Sequence, residues 1–91
     1  MGIKVTLPAS LRRLAGGATS IQADGGTIAE LFTDIDRQAP GFRDRLCDES
    51  GRIRKFVAVF VNGRDIRTLQ GADTPLTGTE EVTLVTAIAG G

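Results

Sequence analysis

The chain has 91 residues, and its eleven basic and eleven acidic side chains cancel. Hydrophobic residues make up 41%, enough for the core of one small domain and too many for a disordered chain. No apolar run approaches the ~20 residues of a membrane span, and no net field draws the chain to nucleic acid or anionic lipid.

Ile3, Val5 and Leu7 alternate with Lys4 and Thr6, the period of a half-buried strand, until Pro8 stops the ladder. Gly16-Gly17 turns the chain into a second alternating run, Thr19 to Ala23, so the two runs are expected to form an antiparallel hairpin. Between them, Ala9 to Ala15 reads as a short helical turn or a broad loop. Asp24-Gly25-Gly26 breaks the second strand. Thr27-Ile28-Ala29-Glu30 then reads as a capping box, with Thr27 accepting from the Glu30 amide and the Glu30 side chain returning a bond. Ile28, Leu31, Phe32 and Ile35 fall on one stripe of a helix that Pro40 and Gly41 end.

Phe42 and Leu46, one turn apart, suggest a second, short helix carrying Cys47. Asp48-Glu49-Ser50-Gly51 is a turn. Phe56 to Val61 is a continuous β-rich run, expected to be a central strand covered on both faces. Asn62-Gly63 is a two-residue hairpin signal leading to a short edge strand over Asp65-Ile66-Arg67. Thr74-Pro75-Leu76 and Gly78 are loop, and Val82 to Thr86 is the last strand. The order strand, strand, helix, strand, strand, strand predicts an α+β fold in which a sheet grasps one main helix. A last strand paired beside the first would hold the root of the chain's end rigid.

What is missing from the composition is equally informative. Without histidine, tyrosine, tryptophan or a second cysteine, the usual general base, the common zinc spacings and a Ser-His or Cys-His nucleophile are lacking. The chain is expected not to be an enzyme, to bind no metal and no cofactor, and to form no internal disulfide. One cysteine and no basic-then-apolar leader predict a cytoplasmic protein. Met1-Gly2-Ile3-Lys4-Val5-Thr6 fits the loose N-myristoylation pattern, but the same residues begin a strand that the fold needs, so no membrane partner is expected.

The chain ends on Gly90-Gly91. At average glycine usage such a pair arises by chance in roughly one chain in two hundred. A frayed end would look the same; the sharper reading is that the carboxylate of Gly91 is the working group.

The segments Phe56 to Arg67, Thr74-Pro75-Leu76, Glu81 to Val85 and Ala87-Ile88-Ala89-Gly90-Gly91 resemble the ubiquitin-like sulfur carriers of the ThiS/MoaD family. Within it they most resemble the CysO-type carrier of thiocarboxylate-dependent cysteine biosynthesis. The N-terminal half agrees in element order and length, and one departure is Thr86, where such carriers often have proline. The resemblance implies a ubiquitin-like β-grasp with a mixed sheet of four to five strands. It divides the chain into a domain over 1–86 and a flexible tail over 87–91. It further implies that Gly91 is adenylated and converted to a thiocarboxylate, while Gly90, Ala89 and Ile88 thread into a partner's active site. ATP and Mg²⁺ would be used by that partner, an activating enzyme and sulfurtransferase resembling the ubiquitin-activating family. The other implied partners are a sulfur-accepting biosynthetic enzyme and a tail-cleaving metalloprotease. Three further readings are the small subunit of molybdopterin synthase, a ubiquitin-like modifier conjugated through Gly91, and a β-grasp binding module with an incidental Gly-Gly.

Two features lie outside the tail. Cys47 reads either as a sulfur relay or as a small packed hydrophobe, the commoner role. Arg52, Arg54, Lys55, Arg64 and Arg67 cluster around the third and fourth strands, as a partner-docking patch or as solvated strand residues. An exposed apolar sheet face is also expected near the tail.

Overall fold

The computed structural model describes residues 2–86. Strand β1 (Ile3–Thr6) leads into a short helix, α1 (Ala9–Arg12), and a 3₁₀ turn (Arg13–Ala15). Strand β2 (Ser20–Ala23) follows, then the main helix α2 (Ile28–Gln38) and the short α3 (Phe42–Leu46). Strands β3 (Val57–Val61) and β4 (Arg64–Asp65) form a hairpin, and two 3₁₀ turns lead to β5 (Glu81–Thr86).

The five strands form one mixed sheet in the order β2-β1-β5-β3-β4. β1 pairs with β2 antiparallel and with β5 parallel, Val5 standing opposite both Ile21 and Val82. β5 pairs antiparallel with β3 from Val57↔Thr86 to Val61↔Val82. The last strand is thus central and lies beside the first, as the element order suggested.

Alternation sorts the strands into two faces. Ile3, Val5, Val57, Val59, Val61, Val82 and Leu84 are buried on one of them. Ile28, Leu31, Phe32 and Ile35 of α2 are buried with them in a single core, to which Leu11, Phe42 and Leu46 also belong. The capping box forms with one change: Thr27 Oγ1 accepts from the Glu30 amide at 3.2 Å, but Glu30 Oε1 accepts from the Gly26 amide at 2.8 Å rather than from Thr27. The loop before β5 is tied to the same helix start, since Leu76 N–H donates to Gly26 O and Ile28 N–H to Thr74 O. Thr74, buried, donates through its hydroxyl to Gly71 O at 2.7 Å.

Two expectations need correction. β3 is covered on one face only: Ala58 and Phe60 are half-buried and Phe56 is exposed, because no element packs over the second face of the sheet among the described residues. The fourth strand is Arg64–Asp65, not Asp65 to Arg67. Asp65 Oδ1 accepts from the Arg67 amide and caps a 3₁₀ turn over Ile66–Thr68, which turns the chain out of the ladder. Asn62-Gly63 does form the hairpin turn, with φ of 51° and 85°, the left-handed pair such a turn requires.

Gly25 is the glycine that packing requires. A Cβ there would stand 2.5 Å from the Leu31 amide nitrogen, against backbone that cannot yield. Thr27→Ala should therefore cost about 1 kcal/mol in urea unfolding, the usual value of a helix cap, and Gly25→Ala should cost more. Equal losses for the two variants would contradict this packing.

Candidate functional site

The residues assigned by sequence to the tail, Ile88, Ala89, Gly90 and Gly91, lie outside the described residues, as does the expected tail over 87–91. What the structure does describe is the strand that carries them. β5 pairs with β1 over Glu81, Val82 and Thr83 and with β3 from Val82 to Thr86, and Val82 and Leu84 are buried. At its last residue Thr86 stands opposite Val57, and its hydroxyl lies 3.0 Å from that of Ser10 at the start of α1. The other end is fixed too: Asn62 Oδ1 accepts from the Glu81 amide at 2.9 Å, and Asn62 N–H donates to Glu81 O at 2.8 Å. β5 is thus held on both sides at its start, and at Thr86 by its pairing with β3 and by the hydroxyl contact with Ser10.

Around that root the expected apolar surface is present. Val85 and Phe56 are 43% and 36% exposed, and the half-buried Ala58 stands opposite Val85 in the ladder. A hollow of about 270 Å³ beside Thr86 is lined by Ser10, Leu11, Arg45, Arg54 and Phe56. Sequence reading missed this hollow, because its walls come from α1, α3 and the segment before β3, which only tertiary packing brings together.

The cysteine question has a structural answer. Cys47 is buried, and burial pushes its thiol pKa up despite the neighbouring Arg43. Cys47 thus sits in the core as a small packed side chain, held away from the thiolate form that reacts. Among the described residues no group of His, Cys, Asp and Glu side chains could hold a metal ion, and no helix is long and apolar enough to cross a membrane.

The basic residues divide. Arg52, Arg54, Lys55 and Arg67 line one cleft of about 630 Å³, whereas Arg64 does not. Arg67 is held by a bidentate pair with Asp65, its Nη2 2.7 Å from Oδ2. The guanidinium of Arg54 donates to Asp44 O, which fixes the segment before β3 against α3.

A five-stranded mixed sheet wrapped on one helix, with the last strand central and parallel to the first, defines the ubiquitin-like β-grasp class. The chain belongs to the ThiS family, whose model matches residues 5–91. It is 34% identical to the sulfur carrier protein CysO of Mycobacterium tuberculosis over 93 aligned positions, covering 100% of both chains. A chain in the crystal structure of the BexX/CysO complex of Amycolatopsis orientalis superposes with a TM-score of 0.91 at 31% identity, over 98% of this chain and 99% of that one. SAMP1 of Haloferax volcanii shares the fold, with a TM-score of 0.81 at 19% identity and full coverage of both chains. The family match and the mycobacterial relative support a sulfur-carrier role.

The acidic groups give the domain a defined pH response. The Asp24 amide and Arg37 hold Asp34 below its usual 3.8. Asp48 is lowered by the Ser50 hydroxyl and the Arg52 amide, and Asp65 by Arg67. For Glu80, burial raises the pKa, but bonds from Thr77 and Gly78 outweigh it and the net direction is down. Lowered folded values mean that the unfolded chain binds more protons as pH falls, so these groups stabilise the fold above their unfolded values and lose that effect through the folded ones. With no histidine, thermal melting should be flat from pH 7 to about 5 and fall below about 4, with a shallower acid slope in Asp48→Asn. Stability that holds or rises on acidification through that range would refute the assignment. Cys47 should react with iodoacetamide only at the rate of global opening, so faster labelling of the folded protein would contradict its burial.

Proposed function

We propose that this chain carries sulfur as a thiocarboxylate on Gly91. The observation that supports it most is the family match, which runs through Gly91 and joins it to a β5 that is rigid at both ends. The mycobacterial sulfur carrier, which aligns over 100% of both chains, strengthens it.

In this reading the Gly91 carboxylate attacks the α-phosphorus of ATP in an activating partner, which holds Mg²⁺, and pyrophosphate leaves. The resulting acyl-adenylate is an electrophile that the free carboxylate is not. A hydrosulfide equivalent then attacks the acyl carbon, AMP leaves, and a thiocarboxylate remains. The chain contributes position rather than chemistry, which belongs to the partner. Gly90 and Gly91 have no side chains to obstruct a narrow channel, Ile88 and Ala89 pair with the walls of the groove, and the strand behind them limits where the carboxylate reaches. In a partner enzyme of cysteine or thio-metabolite synthesis the thiocarboxylate sulfur then attacks an activated carbon of the acceptor and displaces its leaving group. Hydrolysis of the acyl bond that still joins the product to Gly91, by a tail-cleaving metalloprotease, frees the product and restores the carboxylate.

The test is intact mass after incubation with an activating enzyme, ATP and a sulfide source. Exchange of one oxygen for sulfur is expected, confined to Gly91 in the C-terminal peptide, and absent both when Gly91 is deleted and when one residue is added after it. Sulfur acquired by either altered chain would overturn the proposal, and lysine-linked conjugates in a lysate would favour a protein modifier.

A further inference from the structure

The basic cleft has a chemistry of its own. Its base is closed by the buried core residues Val57 and Val59 of β3 and Ile66 of the turn after β4, and the half-buried Ile53 and Ala72 are the aliphatic side chains it leaves accessible. Its lining holds four cations and one carboxylate, in a chain whose charges cancel overall. The carboxylate, Asp65, is already paired with Arg67. Arg52 and Lys55 are exposed, and neither forms an ion pair among the described residues. The cations are therefore concentrated on the rim of an apolar trough about 630 Å³ in volume.

We infer that this cleft docks an extended acidic peptide segment of a partner protein, with aliphatic side chains seated against Ile53 and Ala72 and carboxylates facing Arg52 and Lys55. The lining favours a peptide over a nucleic acid. No aromatic side chain lines the cleft, so bases have nothing to stack on, and a chain without net charge lacks the phosphate attraction that dominates such binding. A small anion alone would leave Ile53 and Ala72 uncovered, whereas alternating apolar and acidic residues match these side chains and the rim together. The position adds a consequence. Val57, at the base of the cleft, pairs with Thr86, so the strand beneath a docked segment is the direct neighbour of the end of β5. The inference does not depend on what Gly91 carries, and its test needs no activating enzyme.

The test uses the unmodified full chain and an acetylated eight-residue peptide of alternating valine and glutamate, followed by backbone amide NMR. Saturable shifts confined to residues 51–59 and 65–72 are expected, together with weaker binding in high salt and weaker binding of the valine-lysine counterpart. Arg52→Glu combined with Lys55→Glu, both exposed positions, should weaken binding about tenfold or more and reverse the preference toward the lysine peptide, with an unchanged melting temperature. No saturable shift up to about 1 mM peptide, beyond the weak end of specific binding, would overturn the inference. So would shifts centred on Thr83 and Val85, equal binding of the two peptides, or tighter binding of an oligouridine.

Discussion

Every feature of this molecule depends on the burial of one helix stripe against one face of one sheet. Ile28, Leu31, Phe32 and Ile35 meet Val5, Val59, Val82 and Leu84, and each of these side chains is at most 2% exposed. Neither layer is stable alone at this size, because an isolated helix of this length is marginal in water and so is an isolated hairpin. One helix covers one face and leaves the other open. The apolar surface around Phe56 and Val85 follows from this two-layer arrangement.

The same constraint separates two kinds of surface. On the open face, exposure is apolar and lies beside the exit of β5. On the helix side, where β3 meets the turn after β4, the cleft combines an aliphatic lining with a basic rim. In the proposed role the protein must be held firmly enough to be used and loosely enough to be released. Two modest surfaces near one strand end would meet both needs, since joint engagement strengthens binding while either contact alone remains weak. The neutral overall charge leaves such local fields to set the orientation of docking.

Much of this was legible from residue patterns. The α2 stripe, the Thr27 cap, the Asn62-Gly63 turn and the central place of the last strand were all readable, because each rests on local periodicity or on backbone chemistry that few residues satisfy. Errors arose where tertiary context decided. The run Phe56 to Val61 looks buried on both faces, yet a sheet with one covering layer cannot bury Phe56, Ala58 and Phe60 fully. Asp65-Ile66-Arg67 alternates like a strand, but Asp65 bonds the amide two residues on and bends the chain into a turn. Glu30 reaches Gly26 rather than Thr27, a difference of one residue that spacing alone does not resolve. In the candidate site, the patterns placed the root of the tail and four of the cleft's cations. The aliphatic lining was not readable, since Ile53, Val59 and Ile66 meet only once β3 and β4 have folded back on each other.

The parallel pairing of β1 with β5 also bears on how the protein is made. Lys4 pairs with Glu81 and Thr6 with Thr83, so strands near opposite ends of the sequence must meet before the sheet closes. Contacts that distant in sequence form late and slowly, because the whole intervening chain has to be organised first. During synthesis the sheet cannot be completed until β5 has left the ribosome, and a product that stops short of Glu81 has no central strand. Such a fragment exposes the core-facing sides of β1 and β3 and should be removed as unfolded protein. The topology thus makes folding a check on translation: a chain whose synthesis stops before β5 never acquires the surfaces by which partners would hold it.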